Sequence, residues 1–165
     1  MKYREGNSHD VVGLQKLALI SYGQFQNTLT EENWNRLRTH ITNENLFSDL
    51  LKTSKGFVCE YENEIIGMAF LVPKGNPTEI FEADWSYIRM VGVHPNFGGK
   101  GIGKQLTQMC IDFARSSDEK TVALHTSEYM NAARHIYESL GFRQIRELEP
   151  RYGKRYWIYK LELKG

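Results

Sequence analysis

The chain is poor in cysteine and proline, and it has no long apolar run. Its two cysteines, Cys59 and Cys110, match no metal-ligand spacing and do not form a disulfide framework. Both sit among apolar residues, which points to buried thiols and to no metal site. No uninterrupted apolar stretch approaches the ~18 residues that a spanning helix needs, so no membrane association is expected. The opening residues, MKYREGNSHD, lack the apolar core of a secretion signal, and a cytoplasmic location is expected. Neither sign of charge dominates. Lys and Arg total 21 against 20 Asp and Glu, and a formal charge of +1 gives no pull toward nucleic acid.

The 165 residues, 41% of them apolar and 25% charged, suit one soluble domain spanning 1–165. KYR reads as a first strand, with Ser8 or Asp10 placed to cap a helix whose inner face is Val11, Leu14, Ala18 and Ser21. Thr30, followed by Glu31 and Glu32, starts a second helix with Trp34, Leu37 and Ile41 as its stripe. A third short helix runs near Asn45 to Leu51. GFVCEY and EIIGMAFLV then form a hairpin across Glu62 and Asn63. Pro73, Gly75 and Pro77 mark a loop reaching to about Asp84.

WSYIRMVGV, Trp85 to Val93, reads as a strand covered on both faces. Ile102, Leu106, Met109 and Phe113 follow at spacings of four, three and four, which is one helical face. TVALHTS is a second buried strand. Ala133, Ile136, Tyr137 and Leu140 make a further helical stripe that ends at Gly141. FRQIREL and KRYWIYKLEL are the last strands. The order gives an α/β or α+β single domain.

Between the strand ending at Val93 and the helix from Ile102, four glycines crowd together: Gly98, Gly99, Gly101 and Gly103. Glycines let a backbone approach a ligand closely, and a helix start offers unpaired N–H groups and a positive dipole end. Lys100 and Lys104 add positive charge. Phosphate binding is the expectation; a plain glycine-rich turn is the bland alternative. The nucleoside-triphosphate pattern is met by Gly98, Gly103 and Lys104, but Gln105 replaces the hydroxyl that would hold Mg²⁺. The dinucleotide pattern starts with Gly101 and Gly103, but Leu106 takes its third glycine position.

A third pattern fits better. VHPNFGGKGIGKQL resembles the acetyl-coenzyme A signature of the GNAT N-acetyltransferases, with Val93, Pro95, Gly101 and Gly103 on its fixed positions and Gly98 in place of the usual Arg or Gln. About thirty residues on, NAARHIYESLGF resembles the family's second signature through Ala133, Ile136, Tyr137, Gly141 and Phe142. The usual asparagine falls on Met130, and Asn131 stands one place late.

The resemblance implies a mixed, mostly antiparallel sheet of six to seven strands with four to five helices. It implies an acetyl-CoA-dependent N-acetyltransferase acting directly on a primary amine, without metal or covalent intermediate. Main-chain groups of Val91, Gly92 and Val93 would hold the pantetheine arm. The pyrophosphate would sit on the turn from Gly98 through Gly99, Lys100, Gly101, Ile102, Gly103 and Lys104, with Asn131 as a further coenzyme contact. Tyr137 matches the usual general acid. The strand position where many members carry a glutamate base holds Tyr87, leaving Glu82, Asp84, Glu128, His125 or ordered water. Similar proteins often dimerise, which leaves a homodimer open.

Two other functions remain open: a non-catalytic acyl-CoA-binding module on the same fold, and a P-loop nucleotide-binding protein. PRYGKRYWIYK interleaves basic and aromatic residues, as a nucleic-acid surface does, but a half-covered strand gives the same pattern. The balanced net charge favours the strand, and the segment could also line an acceptor pocket together with Trp34, Trp85 and the loop from Pro73 to Asp84.

Overall fold

A computed structural model describes residues 1–163; the end of the expected 1–165 unit lies outside the described residues. The chain runs β1 (Lys2–Glu5), α1 (Val11–Gly23), α2 (Glu31–Ile41), α3 (Leu46–Thr53), β2 (Lys55–Tyr61), β3 (Glu64–Val72) and β4 (Ser86–Val93). It continues with α4 (Ile102–Ser116), β5 (Thr121–Ser127), α5 (Asn131–Ser139), β6 (Arg143–Glu147) and β7 (Tyr156–Glu162). The strands form one seven-stranded sheet in the order β1-β2-β3-β4-β5-β7-β6. Every pairing is antiparallel except β4 with β5. The mixed, mostly antiparallel sheet with five helices matches the expected class.

Local sequence accounts for most of these elements. Thr30 caps α2, its hydroxyl accepting from the Asn33 N–H at 3.1 Å. Glu62 and Asn63 take left-handed backbone, φ 50° and 65°, and close the β2–β3 hairpin. Gly141, φ 99°, ends α5 with its N–H donated to the Glu138 carbonyl at 3.1 Å. One start signal is corrected. Asn7, not Ser8 or Asp10, caps the 3-10 turn before α1, accepting from His9 N–H at 2.9 Å. Asp10 is drawn away by Arg4, which donates to both its carboxylate oxygens at 2.8 Å, and it also accepts from the Asn7 N–H at 2.9 Å.

The helices cover both faces of the sheet. On one face α4 and α5 bury Ile102, Leu106, Cys110, Ile111 and Tyr137 against Ile66, Ile88, Leu124 and Tyr159. Met109 and Phe113, expected on the α4 stripe, flank this core half-buried. On the other face α1, α2 and α3 bury Leu14, Leu17, Trp34, Leu37 and Phe47 against Val58, Met68 and Phe70. Trp34 is core. Both cysteines are buried free thiols. The basic residues of the last segment serve the sheet: Lys160 lies over Trp85 at 5.1 Å, and Arg155 pairs with Glu147 at 2.8 Å. No helix among the described residues is long and apolar enough to cross a membrane.

The Arg4–Asp10 pair ties β1 to the start of α1, with side chains only 24% and 8% exposed. The guanidinium holds the Asp10 carboxyl below its ordinary range. Its stabilisation is therefore full above the unfolded pKa and lost as pH falls through the lower, folded value. Asp10→Asn is expected to cost about 1–3 kcal/mol at pH 7. The gap between wild type and variant should narrow as pH falls through and below the ordinary carboxylate range in urea unfolding, and a gap that stays constant with pH would disprove the linkage.

Candidate active site

The strand β4 runs into the glycine turn through a 3-10 turn, Pro95–Phe97, that the His94 ring caps by accepting from the Asn96 N–H at 3.1 Å. Gly99 and Gly101 adopt φ 76° and 79°, a region that disfavours any side chain with a Cβ. Gly101 is the N-terminal boundary residue of α4 and offers no side-chain cap. The result is six consecutive backbone N–H groups, residues 99 to 104, with no acceptor among the described residues. They stand at the positive end of a 15-residue helix beside the exposed Lys100 and Lys104. Such a nest can hold an anion with several oxygens.

The same β4 borders a gap. It pairs with β5 only at Ser86–Val122 and Tyr87–Ala123, although both strands run on for several residues. Beyond Tyr87 the two diverge, and β4 bulges where Met90 takes φ 56°. His94 donates its N–H to β3 at Ile66 O, 2.8 Å, so strand alternation turns the Val91 and Val93 N–H groups toward the gap. The Val93 N–H is already held by the Ser21 hydroxyl of α1 at 3.2 Å. Gly92 permits that approach, since a Cβ there would meet Met68 Cε at 2.9 Å and Ser21 Oγ at 3.1 Å.

Tyr137 reaches the gap from the α5 face. Its ring is 6% exposed and packs edge-on against Phe142 at 5.9 Å. Burial raises its pKa, and the Tyr22 phenol raises it further. Tyr22 belongs to α1 on the opposite face of the sheet, so the two phenols feel each other through the gap. The Tyr137 hydroxyl makes no hydrogen bond among the described residues, yet it is not sealed from solvent. Asn131 neither caps α5 nor enters the gap's lining; it is exposed as the first residue of α5, accepting from Arg134 at 3.1 Å.

The opposite face holds the base candidates named from the sequence, together with groups that it did not mark. Tyr87 stacks on Phe81 at 4.3 Å and donates to the Asn76 carbonyl at 3.0 Å, a structural role at the position where similar enzymes carry a glutamate. Glu82 and Asp84 are exposed on their loop, and Glu128 is occupied by the Arg155 N–H at 2.7 Å. Of the base candidates, His125 alone lines the gap, between Phe81 at 6.0 Å and Tyr156 at 5.8 Å. Its Nδ1 is buried without a partner. Burial, with Arg151, Arg89 and His40 adding repulsion, pushes its pKa down to about 4. Tyr129 and Tyr156 share a hydroxyl contact at 2.8 Å close by, and Phe25 of the α1–α2 loop meets the Tyr129 ring edge-on at 5.0 Å. A lone arginine inside the apolar WSYIRMVGV was the sequence signal for Arg89. A separate cavity of about 280 Å³ beside α1 is lined by Arg4, Asp10 and Glu60, which bind one another.

The sequence model of the Acetyltransferase (GNAT) family matches residues 19–142, from the end of α1 through Phe142. The chain belongs to this family. It is 42% identical over 62 residues to the N-acetylaspartate synthetase of Danio rerio, covering 38% of this chain and 22% of that protein. It is 33% identical over 90 residues to the uncharacterized N-acetyltransferase YjgM of Escherichia coli (strain K12), covering 54% and 51%. The chain thus spans about half the length, or less, of these two curated relatives. Among solved structures, the PaiA N-acetyltransferase of Thermoplasma acidophilum in complex with coenzyme A superposes with a TM-score of 0.79 at 14% identity, covering 98% of each chain. The ribosomal-protein-alanine N-acetyltransferase of Brucella melitensis gives 0.69 at 21% identity, covering 99% and 100%. These likenesses show a shared fold.

A Cβ at Gly101 has open space around it, so only backbone strain opposes a substitution there. Gly101→Val is expected to strain the turn by about 1–2 kcal/mol. Calorimetric titration should show at least a tenfold loss of acetyl-CoA affinity, and an unchanged affinity would remove the turn from the binding site.

Proposed function

We propose that residues 1–165 form a single N-acetyltransferase domain that moves an acetyl group from acetyl-CoA directly to a primary amine. One observation carries this reading: the nest of unpaired N–H groups and the β4–β5 gap lie on one continuous segment. A diphosphate on the nest would direct its pantetheine arm along β4, past Val91 and Gly92 and toward the Tyr137 phenol. Because Ser21 occupies the Val93 N–H, that amide would serve the arm only if the hydroxyl turned away, which makes Ser21 a part of the proposed site. Asn131 stays a proposed coenzyme contact from the rim.

The chemistry asks for a neutral amine, stabilisation of charge growing on the thioester oxygen, and a proton for the leaving sulfur. Backbone N–H groups facing the gap would supply the second. For the third, the raised pKa keeps the Tyr137 phenol protonated at neutral pH. The amine nitrogen bonds to the carbonyl carbon, the carbon–sulfur bond breaks, and the sulfur takes the phenolic proton. Burial raises the pKa of both cysteine thiols and so disfavours a nucleophilic thiolate, which supports direct transfer over an acyl-cysteine route. The proton lost by the amine would leave through water, which would also return a proton to the Tyr137 phenolate.

Thiol release from acetyl-CoA across an amine panel tests the reaction, with ATP–Mg²⁺ titrated as the control for the nucleotide alternative. Tyr137→Phe is expected to lower kcat by about 10- to 100-fold with acetyl-CoA affinity little changed. An unchanged kcat would return Tyr137 to the core. Coenzyme binding without turnover across the panel would favour a regulatory acyl-CoA-binding module.

A further inference from the structure

The gap has two faces, and the coenzyme reading uses only one. On the α1–α2 face, Tyr87 and Ala123 are the last paired residues of β4 and β5, and both belong to the same apolar cluster. Strand alternation puts Arg89 and His125, each two residues further on, on that face, opposite each other where the strands part. Around them stand Tyr22 from α1, Tyr156 from β7, and Arg151 and Tyr152 from the β6–β7 loop. That loop is seated on α2: a Cβ on Gly153 would come within 2.7 Å of Asn33 Nδ2.

The charge here is one-sided. Arg89, Arg151 and His40 are the charged or titratable groups that bear on His125, and Arg89 and Arg151 are those that bear on His40. Arg36 adds to the field at Tyr152. Among the described residues, the one carboxylate touching any of them is Glu79, which meets Arg151 at 3.4 Å and is 84% exposed. Arg89 is half-buried, and neither an ion pair nor a hydrogen bond engages its guanidinium among the described residues. Its planar fork of donors, half open to water and engaged by no protein acceptor among the described residues, is available to a ligand. Directly across, His125 Nδ1 is a buried polar atom with no partner.

We infer that the acceptor is a small primary amine carrying a carboxylate, an amino acid, whose carboxylate is bound by the Arg89 guanidinium at the mouth of the β4–β5 gap. This rests on the acetyltransferase reading, and it specifies what that reading leaves open. A purely cationic amine would enter a field of its own sign. An amino acid brings the missing anion, and its amine sits two bonds away from the clamped carboxyl carbon, directed at His125 and the gap. Arg89 is a binding residue for the acceptor; it plays no part in holding acetyl-CoA.

The test uses matched sets: amino acids, their carboxamides, the corresponding decarboxylated amines and aminophosphonates, each assayed by thiol release from acetyl-CoA. At least one amino acid should exceed its own carboxamide in kcat/KM by roughly 10- to 100-fold, the range for a charge-assisted hydrogen bond. Arg89→Gln should erase that ratio mainly through KM, Arg89→Lys should keep part of it, and acetyl-CoA affinity by calorimetry should not change. If the Arg89 variants fail to fold, the wild-type ratios decide alone. Carboxamides, decarboxylated amines or aminophosphonates used as well as the amino acids, or a preference that survives Arg89→Gln, would overturn the inference. Binding separates the two readings. N-acetyl amino acids should bind the CoA-loaded protein more tightly than their amides whether or not turnover occurs, and equal binding would overturn the carboxylate clamp. Absence of thiol release from every amine, with carboxylate-selective binding intact, would sink the transferase reading and leave the clamp standing.

Discussion

Two parallel residue pairs, Ser86–Val122 and Tyr87–Ala123, hold the halves of the sheet together, and the functional geometry depends on their being so few. Strands that separate expose main-chain donors and acceptors that sheets normally satisfy. Here each strand is fixed by its other neighbour: β4 by β3, and β5 by β7 along all seven of its residues from Thr121 to Ser127. The opening is therefore framed by strand pairing on both of its sides. Ser21 quiets one of the exposed amides, and the bulge at Met90 re-aims the strand between Arg89 and Val91.

That constraint joins the two ends of the proposed chemistry. The segment from Ser86 to Lys104 edges the gap and then, within one turn of 3-10 helix, becomes the nest at the start of α4. The donors of the nest are backbone groups, so Gly98 in place of Arg or Gln leaves them intact. A long flexible ligand anchored there loses most of its freedom before its reactive end arrives, and that is a large part of what positioning contributes to catalysis.

Features carried by neighbouring residues were legible in the sequence. The β2–β3 hairpin across Glu62 and Asn63, the Thr30 cap, the glycine turn and the Gly141 stop depend on residues a few places apart, and all formed as expected. The start of α1 was misread because its cap depends on a distant partner: Arg4 claims Asp10, and Asn7 takes over the capping. The acceptor face was only partly legible for the same reason. The sequence offered His125 and the PRYGKRYWIYK segment that carries Arg151, but Tyr22, His40 and Arg89 come from three further elements and have no local pattern that announces a site. The charge of Arg89 inside an apolar strand was the one local signal available, and periodicity alone could not say whether anything would pair with it.

An electropositive gap looks unsuited to an enzyme of amines, and the apparent conflict resolves on the proton. The nucleophile must be the neutral amine, and a nearby positive field lowers the pKa of an ammonium by favouring its uncharged form. Burial does most to depress His125, and the positive field that adds to it also favours loss of the amine's proton. A strong carboxylate base beside the reacting nitrogen would work against this, because its negative charge holds the ammonium protonated. Tyr87 at the usual glutamate position is then coherent with Arg89 two residues on, for the site trades a base that pulls the proton away for a field that loosens it. The penalty is repulsion of the incoming cation, and a carboxylate on the acceptor offsets it at the place where Arg89 waits without a partner.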